Sequence, residues 1–142
     1  MSEFNPAEEF GISIHHAGIH VKDMERTYQW YHDVFGFQRR TKDEEGEKPF
    51  AGGVFPKMEW FYLGDFAIEV YEVLDAEPYS IVDLEWSMGV KHISFKIEKW
   101  DEFLAYIHSR DDITIVVENR YNEAGGAVYL RDPDGILVEV NA

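Results

Sequence analysis

Residues 16–37 read HAGIHVKDMERTYQWYHDVFGF, and residues 92–113 read HISFKIEKWDEFLAYIHSRDDI. Each stretch opens on a His, runs through alternating β-branched or aromatic positions, and then changes to helical spacing. In the first, Ile19 and Val21 precede Asp23, a residue type that caps helices. Met24, Thr27, Tyr28, Tyr31, Val34 and Phe35 then recur every three or four residues, and Gly36 suits the position past the helix end. In the second, Ile93, Phe95 and Ile97 alternate before Trp100, Phe103, Leu104 and Ile107 take up the helical period. A second match follows: residues 62–72, YLGDFAIEVYE, lie over residues 129–140, YLRDPDGILVEV. Two matches in the same order predict one structural half written twice.

Working outward, strands are predicted at Ser13 to Val21, Phe37 to Lys42, Met58 to Leu63 and Phe66 to Val73, with a turn at Gly64-Asp65. The stretch from Asp43 to Gly53, charged and rich in Gly, is predicted to be a mobile loop at the edge of the site. Asp75 to Met88 has no periodicity and reads as a connector. The pattern restarts with strands at Val90 to Ile97 and Ile113 to Glu118, a loop from Asn119 to Gly126, and a hairpin of Ala127 to Arg131 with Ile136 to Val140. The Asp-Gly of residues 132–135 is a strong turn signal for that hairpin. The expected class is α+β: one domain over residues 1–142, with a βαβββ module at about 12–74, a connector at 75–88 and a second module at about 89–142.

A chain of 142 residues, 45% hydrophobic, buries a core of useful size and is not a disordered composition. There is no Cys, which excludes disulfides and thiolate metal sites. The net charge of −15 argues against nucleic acid and against anionic membrane surfaces, both of which attract clustered Lys and Arg. No apolar run approaches the roughly 20 residues that span a bilayer, and the polar, acidic opening lacks the pattern of a signal peptide. A cytoplasmic location is the expectation from these features.

Side chains alternate along a strand. Ile68 and Val70 therefore share one face and Ala67, Glu69 and Tyr71 the other; Val138 and Val140 oppose Leu137 and Glu139. His16 shares a face with Gly18 and His20. His92 shares one with Ser94 and Lys96 and opposes Ile93, Phe95 and Ile97. With the aliphatic faces packed under helices, each half offers one His and one Glu on its other face. A single strand His is ordinarily a packing or surface residue, and a single strand Glu a solvated one. The recurrence of both at matching places separates His16, Glu69, His92 and Glu139 from that background. Carboxylates on an enclosed surface need a partner or a cation, and two imidazoles with two carboxylates suit an octahedral divalent metal. His15 is expected on the opposite strand face, and His32 and His108 on polar helix surfaces. Trp60, Tyr62 and Tyr129 are candidates for lining the site or filling the core.

The segments HHAGIHVKDMERTYQWYHDVFGF, FAIEVYE, KHISFKI and YLRDPDGILVEV together resemble the glyoxalase and bleomycin-resistance proteins of the vicinal-oxygen-chelate superfamily, from about Ile14 to the C-terminus. The resemblance implies two βαβββ modules forming a cup-shaped, partly closed mixed β-sheet barrel with helices outside. It implies one divalent metal in the cup (Ni, Co, Mn, Zn or Fe), with His16, Glu69, His92 and Glu139 as ligands. That four-ligand pattern is similar to those of glyoxalase I and methylmalonyl-CoA epimerase. His16, His92 and Glu139 would also supply the two-His, one-carboxylate triad of ring-cleaving dioxygenases. Where bacterial glyoxalase I has an Arg and an Asn that help hold glutathione, this chain has His20 and Val73. His20 is a neutral or switchable group rather than a fixed anion clamp.

The expected activity is that of a metal-dependent lyase or isomerase acting on a small compound with vicinal oxygens. It would move the proton beside a carbonyl through an enediolate. Glu139 or Glu69, released from the metal as substrate arrives, is the expected base, with His20 as the second candidate. An Fe(II) extradiol-type dioxygenase and a metal-free small-molecule binding protein are the alternatives. A homodimer is the expected assembly.

Overall fold

The computed structural model describes residues 5–40, 49–50, 53–54, 57–73 and 88–142. The elements are a short helix α1 (Pro6–Phe10), β1 (Ala17–Val21), α2 (Met24–Phe35), β2 (Gln38–Arg40), the antiparallel pair β3 (Pro49–Phe50) and β4 (Gly53–Val54), β5 (Lys57–Leu63) and β6 (Phe66–Glu72). There follow β7 (His92–Lys96), α3 (Trp100–His108), β8 (Thr114–Asn122), β9 (Gly125–Arg131) and β10 (Leu137–Asn141). Residues 75–87 of the expected connector, and residues 43–48 and 51–52 of the Asp43 to Gly53 stretch, are outside the described residues. Within that stretch Pro49–Phe50 and Gly53 are strand where a loop is expected, because β3 and β4 pair with each other in an antiparallel ladder.

Two four-stranded mixed sheets repeat one topology. The first has the order β1-β6-β5-β2 and the second β7-β10-β9-β8. In each, the His-bearing segment feeds the edge strand, and that strand runs parallel to the Glu-bearing strand beside it. Register repeats as well. Gly18, two residues after His16, pairs with Glu69; Ser94, two residues after His92, pairs with Glu139. The duplication read from the sequence is thus present at the level of single residue pairs. The sheets are separate: β1 and β7 are both edge strands, with no hydrogen-bonded pairing between them among the described residues.

Helix α2 forms where its caps place it. The Asp23 carboxylate accepts from the Arg26 N–H at 3.0 Å, and the Glu72 carboxylate on β6 accepts from the Met24 N–H at 2.8 Å, so two of the orphan first-turn donors are satisfied. Gly36 closes the helix at φ 81°, a left-handed conformation natural to glycine. The buried face is Met24, Thr27, Trp30, Tyr31 and Val34. Trp30 joins the expected stripe, while Tyr28 and Phe35 are half-buried.

One core serves both halves. Ile19, Val21, Phe61, Ile68 and Val70 of the first sheet join Val128, Leu130, Val138 and Val140 of the second. Phe95 on β7 receives the rings of Phe35, Phe37 and Phe66 at 4.8, 5.6 and 6.0 Å between centroids. Full burial of such a ring contributes about 1.5–3 kcal/mol; Phe37 is fully buried and Phe35, Phe66 and Phe95 partly. The buried face of helix α2 therefore serves both halves, while Glu25, Arg26 and Gln29 on its other side are exposed; Phe35 also stacks on Phe103 of α3.

Three local differences from the sequence reading have simple causes. Residues 12–16 are not strand; the β-branched Ile12 and Ile14 are exposed and gain nothing from pairing. α1 has no buried residue and so left no amphipathic signal. Residues 119–126 are largely strand: β8 runs to Asn122 and β9 starts at Gly125. The side chains of residues 116–122 are all exposed, so composition resembles a loop while the backbone ladder carries the pairing.

Candidate metal centre

The polar faces of the two sheets carry the same arrangement. His16 Nε2 lies 2.9 Å from Glu69 Oε2, and His92 Nε2 lies 3.0 Å from Glu139 Oε2. The carboxylates are largely covered, at 17% and 13% exposure, while both imidazoles remain accessible. Each second oxygen has a phenol: Tyr71 donates to Glu69 Oε1, and Tyr129 donates to Glu139 Oε1 at 2.7 Å. Tyr71 lies two residues from Glu69 on the same strand face, whereas Tyr129 reaches Glu139 from the neighbouring strand, directly opposite in register.

These contacts set the electrostatics. The hydrogen bond to Glu139, followed by burial, pushes the Tyr129 phenol up to about 12; the bond to Glu69 does the same to Tyr71. Both stay protonated donors at neutral pH. Burial pushes the Glu139 carboxyl up, but hydrogen bonds from Tyr129, Asn141 and Ser94 and the proximity of His92 together hold it below its ordinary value. It is an ionised acceptor, the state a metal ligand requires.

Aromatic rings support the imidazoles. Trp60, opposite Glu69 in register, sets its ring 5.0 Å from that of His16, with Tyr62 beyond it at 6.3 Å. Tyr129 sits edge-on to His92 at 5.6 Å. His20 is exposed and contacts the Tyr71 ring at 5.6 Å. His15 departs from expectation. Its Nδ1 is 2.7 Å from His16 Nδ1, so it flanks the first pair; strand alternation does not apply because the segment is not strand. His32 bonds the Phe37 carbonyl at 2.9 Å and His108 bonds Glu118 at 2.7 Å. The His108–Glu118 contact shows that a His–Glu pair alone does not single out a site; the matched placement in both halves does.

The donor set fits a divalent ion in halves. Neighbouring ligands at right angles, each about 2.1 Å from an ion, stand about 3.0 Å apart. The two Nε2 to Oε2 separations have that bite. Among the described residues no three groups of ligating type converge on one point. A groove of about 830 Å³ has both His16 and His92 in its walls, with His20, Lys22, Lys91 and Asp134.

The partners Tyr71 and Tyr129 were not singled out for this role from the sequence. For Tyr71 the signal was present, since it shares the Glu69 face; for Tyr129 the partner depends on hairpin register.

A family model of the glyoxalase/bleomycin resistance protein/dioxygenase superfamily matches residues 13–140. The chain belongs to that superfamily. Among solved structures it is similar to a glyoxalase family protein from Enterococcus faecalis (21% identity, TM-score 0.70, 94% of this chain and 99% of that one). It is also similar to a glyoxalase/dioxygenase from Nostoc punctiforme (22%, 0.71, 99% and 95%). A third is a mutant of the fosfomycin resistance protein FosX from Listeria monocytogenes, complexed with Mn(II) and 1S,2S-dihydroxypropylphosphonic acid (20%, 0.64, 92% and 91%). No curated protein matches the chain in sequence. No helix among the described residues is long and apolar enough to cross a membrane.

Proposed function

We propose that the protein is a metal-dependent enzyme that moves the proton beside a carbonyl in a small substrate with vicinal oxygens, as a lyase or isomerase. The observation that carries this reading is the repeated contact of Nε2 with Oε2, at 2.9 and 3.0 Å, on equivalent strands of the two halves. His16, Glu69, His92 and Glu139 would hold the ion. When bound, a divalent cation supplies Lewis acidity toward two neighbouring substrate oxygens. The chain's own groups do the rest. Glu139 or Glu69 takes the carbon-bound proton and returns it, with His20 as a second acceptor at the rim. Trp60, Tyr62 and Tyr129 exclude water beside the imidazoles.

The reading includes a homodimer whose second copy completes the cup. The imidazoles of both His–Glu pairs are accessible, and β1 and β7 are edge strands. A two-fold partner would set the first pair of one chain against the second pair of the other. The FosX structure named above holds Mn(II) with a vicinal diol, which makes Mn(II) the first ion to try.

The test has two parts. Metal-free protein is loaded with Mn, Co, Ni, Zn or Fe, and the content is measured after dialysis; one ion per chain is expected. The loaded protein is then offered α-hydroxy ketones and keto acids in deuterated water, and exchange at the carbon beside the carbonyl is followed. Absence of bound metal under every loading condition overturns the reading. Oxygen consumption with a catechol on the Fe(II) form alone, without exchange, replaces it with dioxygenase chemistry.

A further inference from the structure

We infer that Tyr71 and Tyr129 are positioning residues that restrict each ligand carboxylate to one oxygen and so keep two coordination positions open for substrate. The inference rests on the reading of His16, Glu69, His92 and Glu139 as metal ligands.

The Tyr contact recurs in both halves although the Tyr comes from different places, and Glu139 accepts in addition from Asn141 and Ser94. Oε2 of each Glu faces the His Nε2, and Oε1 of each Glu accepts the Tyr hydroxyl. The phenol is therefore on the oxygen turned away from the imidazole. Tyr71 arrives along the Glu69 strand and Tyr129 across the hairpin from Glu139. Two positions that are not equivalent in the repeat thus deliver a phenol hydroxyl to the carboxylate oxygen turned away from the imidazole.

Counting donors gives the requirement. Carboxylates bind ions through one oxygen or two. Two imidazole nitrogens plus both oxygens of both Glu side chains would fill an octahedral ion, leaving nowhere for a chelating substrate. With each Oε1 held by a phenol, the protein supplies four donors, and two positions remain for a pair of vicinal oxygens. Partners of this kind orient ligands they do not replace.

The test is the number of exchangeable waters on Mn(II) bound to the wild type, Tyr71→Phe, Tyr129→Phe and the double variant, from water-proton relaxation. Mn(II) affinity and stoichiometry are measured on the same samples. Phe keeps the ring and removes only the hydroxyl. Two waters are expected in the wild type, one in each single variant and none in the double, so inner-sphere enhancement falls by roughly half and then disappears, with stoichiometry unchanged. Equal hydration in all four proteins, with affinity or melting temperature altered, makes the tyrosines merely structural and overturns the inference while leaving the metal reading in place. Wild-type protein that binds no Mn(II) overturns both. If a variant does not fold, the wild type alone still decides: hydration other than two waters contradicts the inference.

Discussion

The Tyr31 hydroxyl, on the helix of the first half, donates to the Asp132 carboxylate in the hairpin of the second half at 3.0 Å. Both groups are buried. The other Asp132 oxygen accepts the N–H groups of Asp134 and Ile136, each at 2.9 Å. Asp134 in turn accepts from Arg26 at 2.8 Å. The Asp-Pro-Asp-Gly turn, legible as a hairpin signal, is thus also the polar joint between the halves.

That joint predicts a pH dependence. Burial pushes Asp132 up to about 6 from an ordinary 3.8, against the pull of its hydrogen bonds. Between these values the folded chain holds the proton that the unfolded chain has lost, so ν_U is below ν_N and stability falls as pH rises through this window. The full effect is up to about 3 kcal/mol. Asp132→Asn keeps an oxygen for the two N–H groups and cannot ionise. The difference in unfolding free energy between variant and wild type, measured by urea at pH 4 to 7, should shift in the variant's favour as pH rises and level off above about 6. A constant difference would falsify the burial of a titrating carboxyl here.

The proposed sharing of the ligands between two chains predicts complementation. His16→Ala and His92→Ala should each lose metal binding. Mixed, unfolded and refolded together, they should recover about a quarter of the wild-type sites, because half of random dimers are mixed and each carries one intact site. No recovery of bound metal would place all four ligands within one chain.

Glutathione chemistry is predicted to be weak. An imidazole at residue 20 and an aliphatic side chain at residue 73 replace an Arg and an amide in the glutathione-binding pattern. Arg120 on β8 of the second half is committed to Asp101 and to the carbonyls of Asn122 and Glu123. Loss of one charge-assisted contact costs about 1.5–3 kcal/mol. The glutathione–methylglyoxal hemithioacetal should be turned over by the metal-loaded forms at a kcat/KM below about 10⁴ M⁻¹s⁻¹. Faster turnover with any of them would make lactoylglutathione the relevant product.

Gly126 is predicted to be intolerant of any side chain. A Cβ there would sit on the carbonyl oxygen of Asn119, across the β8–β9 ladder where Gly126 pairs with Arg120. The obstacle is backbone, which has no rotamer to change. Gly126→Ala should destabilise the chain by about 3 kcal/mol or more, read as a drop in the urea midpoint; a change under about 0.5 kcal/mol would show that the hairpin opens at little cost.

Several features were legible because they depend on local periodicity. The alternation of Ile68, Glu69, Val70 and Tyr71 states which residues leave the core, whatever the sheet packs against. The change from period two to helical spacing after Val21 and after Ile97 marks the helices, and Asp23 and Gly36 mark the ends of α2. The repeat of His and Glu, and with it the family, follows from the same patterns. His15 was misplaced because alternation was extended into a segment that is not strand. The β8 extension was missed because an exposed edge is held by backbone hydrogen bonds that no side chain announces.

The sequence by itself determined the duplicated half, its apolar and polar faces, and the candidate residues on the polar ones, since those follow from side-chain alternation within single elements. The tertiary structure decided what depends on pairing between distant segments. Register set Gly18 against Glu69 and Ser94 against Glu139, which makes the two His–Glu contacts equivalent. Hairpin register delivered Tyr129 to Glu139, and packing against the second half joined Tyr31 of α2 to Asp132. Those contacts are fixed by how two faces fill one core, a property of shape that no local spacing contains.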